Sequence, residues 1–251
     1  MKEKLSCAMD IGEQMLVCGA EVHRVEDSIE RMCRAMGADR IDVFIITSSM
    51  VATVHAPNGE IHTQTRRINA TGTDIERLHL LNDLSRRICA GKISSEHIRE
   101  ELAHILQTPH YPFGIECISY AVIAGAFTLF FGGNFMQAAV SACIGALLKL
   151  FTSLCEKKNL NRIFIKFIST FFVTGLALCA LVPGLITDID KVLIGNIMTL
   201  IPGIGLTNAL RDLFVGDSIA GLLRSIEAML MALAIAAGYF LCMWIYGGLM
   251  I

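Results

Sequence analysis

The sequence predicts an α-helical integral membrane protein: an N-terminal soluble α+β domain followed by about five transmembrane helices. Three observations carry that prediction. The first is segregation of charge. All seven His and most of the charged residues lie within residues 1–114, although the whole chain is close to neutral, with a formal net charge of -2. The second is a succession of long apolar stretches at about 115–133, 135–155, 163–183, 192–210 and 227–249. Each approaches the ~20 residues that cross ~30 Å of hydrocarbon. The third is the placement of basic residues at the ends of those stretches. With the front domain inside, Lys149, Lys157, Lys158, Arg162, Lys166, Arg211 and Arg224 face the cytoplasm, and Lys191 faces out. That asymmetry is the positive-inside pattern. It implies a cytoplasmic domain over 1–114, a transmembrane domain over 115–251, an N-terminus inside and a C-terminus outside.

Within the front domain, Leu5, Met9, Gly12, Leu16 and Gly19 recur at helical spacing and predict an amphipathic helix over 1–19. Val22, Val25, Ile29, Met32 and Met36 predict a second over 21–36, supported by the acid-first pairs Asp27/Arg31 and Glu30/Arg34. Residues 41–47, 50–55 and 60–67 read as strands, with Pro57-Asn58-Gly59 as a hairpin turn. Thr73 and Glu76 have the spacing of a capping box, which opens a helix over 74–90. A last helix runs from about Ser95 to Gln107 and stops at the prolines of 108–114.

Composition excludes several functions. A near-neutral chain without a basic patch gives no reason to expect nucleic acid. The nine Cys contain no CxxC pair or zinc spacing, so they read as reduced thiols facing cytoplasm or lipid. Acids within the first apolar stretch argue against a signal peptide. No Walker loop, GxSxG, HExxH or dinucleotide fingerprint occurs. The expectation is therefore a protein that is not an enzyme and has no cofactor. His97, Glu101 and His104 share one helical face, but no further ligand accompanies them, and no metal site is expected.

The richest stretch is residues 196–217. Pro202 removes a hydrogen bond from the fourth apolar segment, and Gly203 loosens the turn after it. Backbone groups freed at that depth must line a cavity or pack against protein. Asn196, Thr199, Thr207 and Asn208 flank the break, and Arg211 follows, so a substrate path is expected there. Asp212, Asp217, Glu227 and Glu116 are the candidates for ion pairing or coupling, because charge at or near a span needs a partner or water. Glu227 is a candidate partner for Arg211. In the front domain, residues 19–27 gather Glu21, Arg24, Glu26 and Asp27 at the start of a helix, either as a docking surface or as a solvated face. Gly125, Gly132 and Gly133 permit close helix packing and a tight outer turn.

Three segments together carry a resemblance: GAEVHRVEDSIERMCRAMG near the start, AGAFTLFFGGNF in the first hairpin, and LIPGIGLTNALRDLFVGDSIAGLLRSIEAMLMALAIAAG near the end. The chain resembles the threonine/serine exporter family along essentially its whole length. The resemblance implies export of small hydrophilic metabolites across the bacterial inner membrane. Threonine and serine are the implied substrates of the namesake, and dicarboxylates such as succinate those of other members. Motif residues carried by the resemblance are Glu21, Arg24, Glu26, Asp27, Gly132, Gly133, Pro202, Gly203, Asn208, Arg211, Asp212, Asp217 and Glu227. Some relatives hold roughly twice as many spans in one chain. The chain thus resembles the longer component of a split exporter, whose implied partner is a small integral membrane protein of the same superfamily. A homo-oligomer is the alternative assembly, and membrane lipid is expected around either. The rival to transport is a membrane-anchored sensing or assembly subunit whose cytoplasmic domain binds a partner.

Overall fold

The computed structural model describes residues 1–69, 71–94, 97–109, 111–158 and 160–246. In chain order the elements are α1 (Lys2–Val17), α2 (Val22–Ala35), β1 (Arg40–Ile46), β2 (Ser49–His55), β3 (Ile61–Arg67), α3 (Ile75–Cys89) and α4 (Ile98–Leu106). There follow α5 (Phe113–Phe130), α6 (Phe135–Glu156), α7 (Arg162–Leu181), α8 (Ile189–Ile197), α9 (Gly203–Val215) and α10 (Ser218–Tyr246). They form two compact units. One comprises Met1–Pro109 with Gly203–Ile226, the other His110–Pro202 with Glu227–Ile251.

In the first unit, the apolar stripes of α1 and α2 supply the core. Leu5, Met9, Met15, Val22, Val25, Ile29 and Met32 are all fully buried. They pack with Met50 and Val54 of β2 and with Leu81 and Leu84 of α3. The strands form an antiparallel meander in the order β1-β2-β3. Alternation in β2 puts Met50, Ala52 and Val54 inward, which fixes the register of the sheet. Helix α3 is capped by Asp74, whose side chain accepts from the Arg77 backbone N–H at 2.9 Å. The cap is therefore one residue later than the Thr73–Glu76 box predicts. The expected start of the next helix at Ser95 lies outside the described residues, and α4 begins at Ile98.

The second unit holds long apolar helices. Among the described residues, four helices are long and apolar enough to cross a membrane: α5, α6, α7 and α10, of 18, 22, 20 and 29 residues. The stretch 192–210, expected as one span, is instead two helices. Helix α8 has 9 residues and α9 has 13, with residues 198–202 between them in turns. At 1.5 Å per residue neither crosses ~30 Å alone. The break is where Pro202 denies the helix a donor. Helix α10 also begins nine residues before the expected span, so 218–226 is helix rather than link. The end of that span beyond Tyr246, and the C-terminal residue, lie outside the described residues.

Asn134 caps α6 with a full capping box, its side chain receiving the Gln137 N–H and the Gln137 side chain receiving the Asn134 N–H. Gln137 also reaches Thr187 Oγ1 at 3.1 Å. Deeper in this unit a neutral polar cluster joins three helices. Thr128 of α5 donates to Ser141 Oγ of α6 at 2.7 Å, and Asn196 Nδ2 of α8 donates to the same Ser141 oxygen at 2.8 Å. The helices approach this closely because Gly195 has no side chain: a Cβ there would stand 2.1 Å from Thr128 Oγ1.

Candidate functional site

The candidate site lies within the first unit and is built on the turn between α1 and α2. Gly19 sits in the left-handed region at φ +92°, and a Cβ there would stand 2.6 Å from the Gly72 carbonyl oxygen. A side chain is therefore excluded twice, by conformation and by space. Residues 72–74 hold the turn from one side, with the Asp74 N–H donating to the Cys18 carbonyl at 3.1 Å. The segment 208–224 holds it through side chains. Asn208 Nδ2 donates to the Gly19 carbonyl at 2.9 Å, Arg224 Nη2 to the Ala20 carbonyl at 2.9 Å, and Arg211 Nη1 to Glu21 Oε1 at 2.9 Å. Three consecutive residues of the turn thus each receive one side chain from α9 or α10.

Helical spacing explains how one segment does this. Asn208, Arg211 and Asp212 stand at i, i+3 and i+4, on one face of α9. Asp212 is 1% exposed and pairs with Arg224 at 3.1 Å, itself 13% exposed. Burial pushes the Asp212 carboxyl up, and the Arg224 guanidinium opposes that shift. The pair is deep enough for its direct interaction to matter, whereas the Arg211–Glu21 pair lies at the rim with Arg211 65% exposed. Leu206, Leu210 and Phe214 of α9 are exposed.

Beside the turn is a cleft of about 290 Å³, lined by Gly19, Ala20, Glu21, Arg24, Ile75, Leu78, His79, Asn82, Ile204 and Asn208. It combines the apolar side chains of Ile75, Leu78 and Ile204 with an acid (Glu21), a guanidinium (Arg24), an imidazole (His79) and two carboxamides (Asn82 and Asn208). That is the mixture a small polar solute needs: a few directed groups on a surface that sheds water. Arg24 is exposed, and no acid stands within ion-pair distance of it among the described residues. Next to this wall, His23 and Glu26 of α2 come close to Asp217 of the α9–α10 turn. Glu26 Oε1 accepts the Ile45 backbone N–H at 2.8 Å. Burial pushes the Glu26 carboxyl up to about 7, although the Ile45 N–H acts against it.

The expected site residues divide between the units. Glu21, Arg24, Asn208, Arg211, Asp212 and Asp217 gather around the α1–α2 turn or next to it. Glu26 joins them, but Asp27 makes only an exposed i,i+4 pair with Arg31 at 2.8 Å. Asn196 and Thr199 belong to the second unit. Asn196 is fully buried and donates to Ser141 and to the Val192 carbonyl, and Thr199 Oγ1 donates to the Asn196 carbonyl at 2.7 Å. Pro202 precedes α9 and Gly203 opens it. Thr207 is exposed and turns back onto the Gly203 carbonyl at 3.0 Å. Glu116 pairs with Lys149 at 2.9 Å across α5 and α6. Arg211 takes Glu21 as its partner, and Glu227 is exposed. Of the residues weighed as a metal face, Glu101 pairs with Arg87 at 3.1 Å, and His97 Nδ1 meets Ser94 Oγ at 2.7 Å.

A sequence model of the threonine/serine exporter family, ThrE, matches residues 6–246. The chain belongs to that family. Among curated proteins it is 22% identical over 247 residues to one named "Probable succinate transporter subunit YjjP" from Klebsiella aerogenes, covering 97% of this chain and 92% of the relative. The protein of the same name from Escherichia coli K12 is 22% identical over 93% of this chain and 91% of its own length. A "Probable threonine/serine exporter" from Mycobacterium tuberculosis is 23% identical over 94% of this chain, which spans 45% of that relative. No solved structure gives a significant match.

Against this exporter background, two features of the site were not singled out by sequence. One is Arg224, which spans the Ala20 carbonyl and Asp212. The other is the face of α3 that floors the cleft. A basic residue twelve positions after a buried acid leaves no periodic trace, because a turn intervenes at Gly216, which has φ +108°. The α3 residues are ordinary members of an amphipathic helix until the cleft is seen.

Proposed function

We propose that this chain is an exporter subunit that moves small hydrophilic metabolites out of the cytoplasm, and that the cleft beside the α1–α2 turn is its cytoplasmic vestibule. The substrate class is threonine/serine-type amino acids or small dicarboxylates such as succinate, the solutes in the names of its relatives. A proton or ion gradient supplies the driving force. The relatives called a subunit support a second component, a small integral membrane protein of the same superfamily.

One observation carries the reading. The helix that follows the break at Pro202 delivers Asn208 and Arg211 to the same turn that bears Glu21 and, one helical turn on, Arg24. A solute carboxylate entering the cleft meets Arg24 and competes with Glu21 for Arg211. Carboxylate occupancy thus loosens one of the three ties between the turn and α9. Cleft volume agrees with a metabolite rather than a larger ligand.

In this reading α5, α6, α7 and α10, the four helices long and apolar enough to span, cross the membrane. The apolar stretch interrupted at Pro202 supplies the fifth crossing. The distribution of basic residues supports a cytoplasmic front domain at a bacterial inner membrane and a C-terminus outside.

The test is efflux of preloaded threonine, serine and succinate from cells with and without the chain, each with and without the small membrane partner. Arg24→Ala and Asn208→Ala are compared at matched membrane abundance. Efflux is expected to fall about tenfold, the size of one lost directed contact of 1–3 kcal/mol. Unchanged efflux in both variants would remove the vestibule. Solute binding to the cleft without flux under any condition would favour the sensing subunit instead.

A further inference from the structure

His23 and Glu26 stand at i and i+3 on α2, one above the other. Asp217 stands in the turn between α9 and α10. One ligand atom from each lies within 4.8 Å of the others. Among these atoms, one is left without a hydrogen-bond partner. Asp217 Oδ2 is sealed from solvent and accepts no hydrogen bond. His23 Nδ1 stands 3.8 Å from it, beyond hydrogen-bonding distance. Glu26 is oriented by the Ile45 N–H on Oε1, which leaves Oε2 available. The neighbouring guanidinium groups are committed elsewhere, Arg211 to Glu21 and Arg224 to Asp212. Two carboxyl groups and an imidazole therefore converge, with His23 within ion-pair distance of Asp217, an arrangement that calls for positive charge.

We propose that His23, Glu26 and Asp217 bind one divalent transition-metal ion, of the Zn²⁺ or Mn²⁺ type, that ties α2 to the α9–α10 turn. One imidazole nitrogen with two carboxylate oxygens is a borderline donor set. It favours such ions over Ca²⁺ or Mg²⁺, which take oxygen alone. Ligand bonds of ~2.0–2.2 Å place donor atoms roughly 3–3.5 Å apart. The three side chains close on an ion by about an ångström, within rotamer adjustment. His23 is exposed, so the remaining coordination positions face water. The ion cross-links the segment that also carries Asn208 and Arg211, which makes the metal a fourth tie between α9–α10 and the front domain. This inference does not depend on the transport reading.

The experiment uses the full chain, purified in detergent with a tag free of histidine, stripped with EDTA and titrated calorimetrically with ZnCl₂ and with MnCl₂. One equivalent of Zn²⁺ is expected to bind, with Mn²⁺ weaker, as the general affinity order requires. Zn²⁺ is expected to raise the melting temperature, because it binds the folded state. Asp217→Asn, which keeps shape, and His23→Ala should each weaken Zn²⁺ binding at least tenfold, while His97→Ala leaves it unchanged. Melting in EDTA shows that each variant is folded. No saturable Zn²⁺ binding to the wild type would overturn the proposal. So would equal binding by wild type, Asp217→Asn and His23→Ala.

Discussion

The two units differ in the polar groups they bury. The first buries a charge beside neutral Asn82 and Ser85: Asp212 is 1% exposed and balanced by Arg224. In the second unit the fully buried polar groups among the described residues are neutral, and Thr128, Ser141 and Asn196 are joined by hydrogen bonds. Two threonines there turn back on their own helices, Thr170 to Lys166 and Thr174 to Thr170, and the single Thr128 hydroxyl proton has acceptors on both its own helix (Ala124) and the next (Ser141). A hydroxyl with a partner on its own helix loses little when a neighbouring helix moves. A buried ion does not have that freedom. Losing its counterion leaves a charge stranded, so the charged cluster fixes one arrangement while the neutral cluster tolerates sliding. The charged region thus holds α9 against the front domain, and the hydroxyl-rich region joins α5, α6 and α8 through bonds that cost less to exchange.

The largest expected effect tests the charged half of that contrast. Arg224→Ala strands Asp212 and frees the Ala20 carbonyl, at a cost of about 3–5 kcal/mol. Hydrogen exchange should show lost protection in α9 and at the start of α2, with α5–α7 unchanged. A variant with wild-type protection in α9 would mean the ion pair is not what holds it. The next effect tests close approach in the neutral half. Gly195→Ala forces a Cβ to within 2.1 Å of Thr128 Oγ1 and 2.6 Å of the Ala124 carbonyl. Overpacking of that kind costs about 1–3 kcal/mol, and should appear as a lower melting temperature in detergent without change in the front domain.

How much of this was legible in the sequence depended on whether the signal was periodic. The stripes of Val22, Val25, Ile29 and Met32 and the alternation around Met50 and Val54 announced the buried faces of the front domain. Long apolar runs announced α5, α6, α7 and α10. Pro202 marked the break before α9. Hydropathy misled at 192–210, because a window average does not register that five residues in the middle are turns. It also put Asn196 and Asn208 on one span, whereas Asn196 lies on α8 and Asn208 on α9. The meeting of residues 19–21 with 208–224 is a long-range contact in which two of the three acceptors are backbone carbonyls, those of Gly19 and Ala20. A backbone acceptor leaves no mark in the sequence, so the polar face of Asn208, Arg211 and Asp212 shows that α9 needs partners but not where they lie.

Acid–base behaviour should also differ between the halves. With the metal stripped by chelator, Glu26 in the folded protein titrates at about 7 because burial disfavours its charge. Its unfolded value is the ordinary one near 4.5. Between those values the folded state binds more protons, so stability is greatest at or below about pH 4.5 and declines as pH rises to about 7. Above that it is level with respect to this group. Half-burial reduces the size of the slope. Glu26→Gln should flatten the decline in melting temperature across that window. An unaltered slope would assign it to another group, and would leave the contrast resting on the Asp212–Arg224 pair alone.

The smallest effect is expected where the neutral cluster is cut. Ser141 accepts from Thr128 and Asn196 and donates to the Ala124 carbonyl at 3.1 Å. In Ser141→Ala, the Thr128 hydroxyl turns wholly to the Ala124 carbonyl, 2.9 Å away. Asn196 keeps its bond to the Val192 carbonyl at 2.9 Å, while its second Nδ2–H loses its acceptor. The loss should be about 1–2 kcal/mol, toward the lower end of the cost of leaving one neutral buried donor unpaired. That is less than Arg224→Ala although Ser141 is no less buried. Melting curves of the two variants, measured in one detergent, give the comparison directly. If Ser141→Ala destabilises as much as Arg224→Ala, the hydroxyl cluster is a rigid lock rather than a sliding contact, and the distinction between the two halves fails.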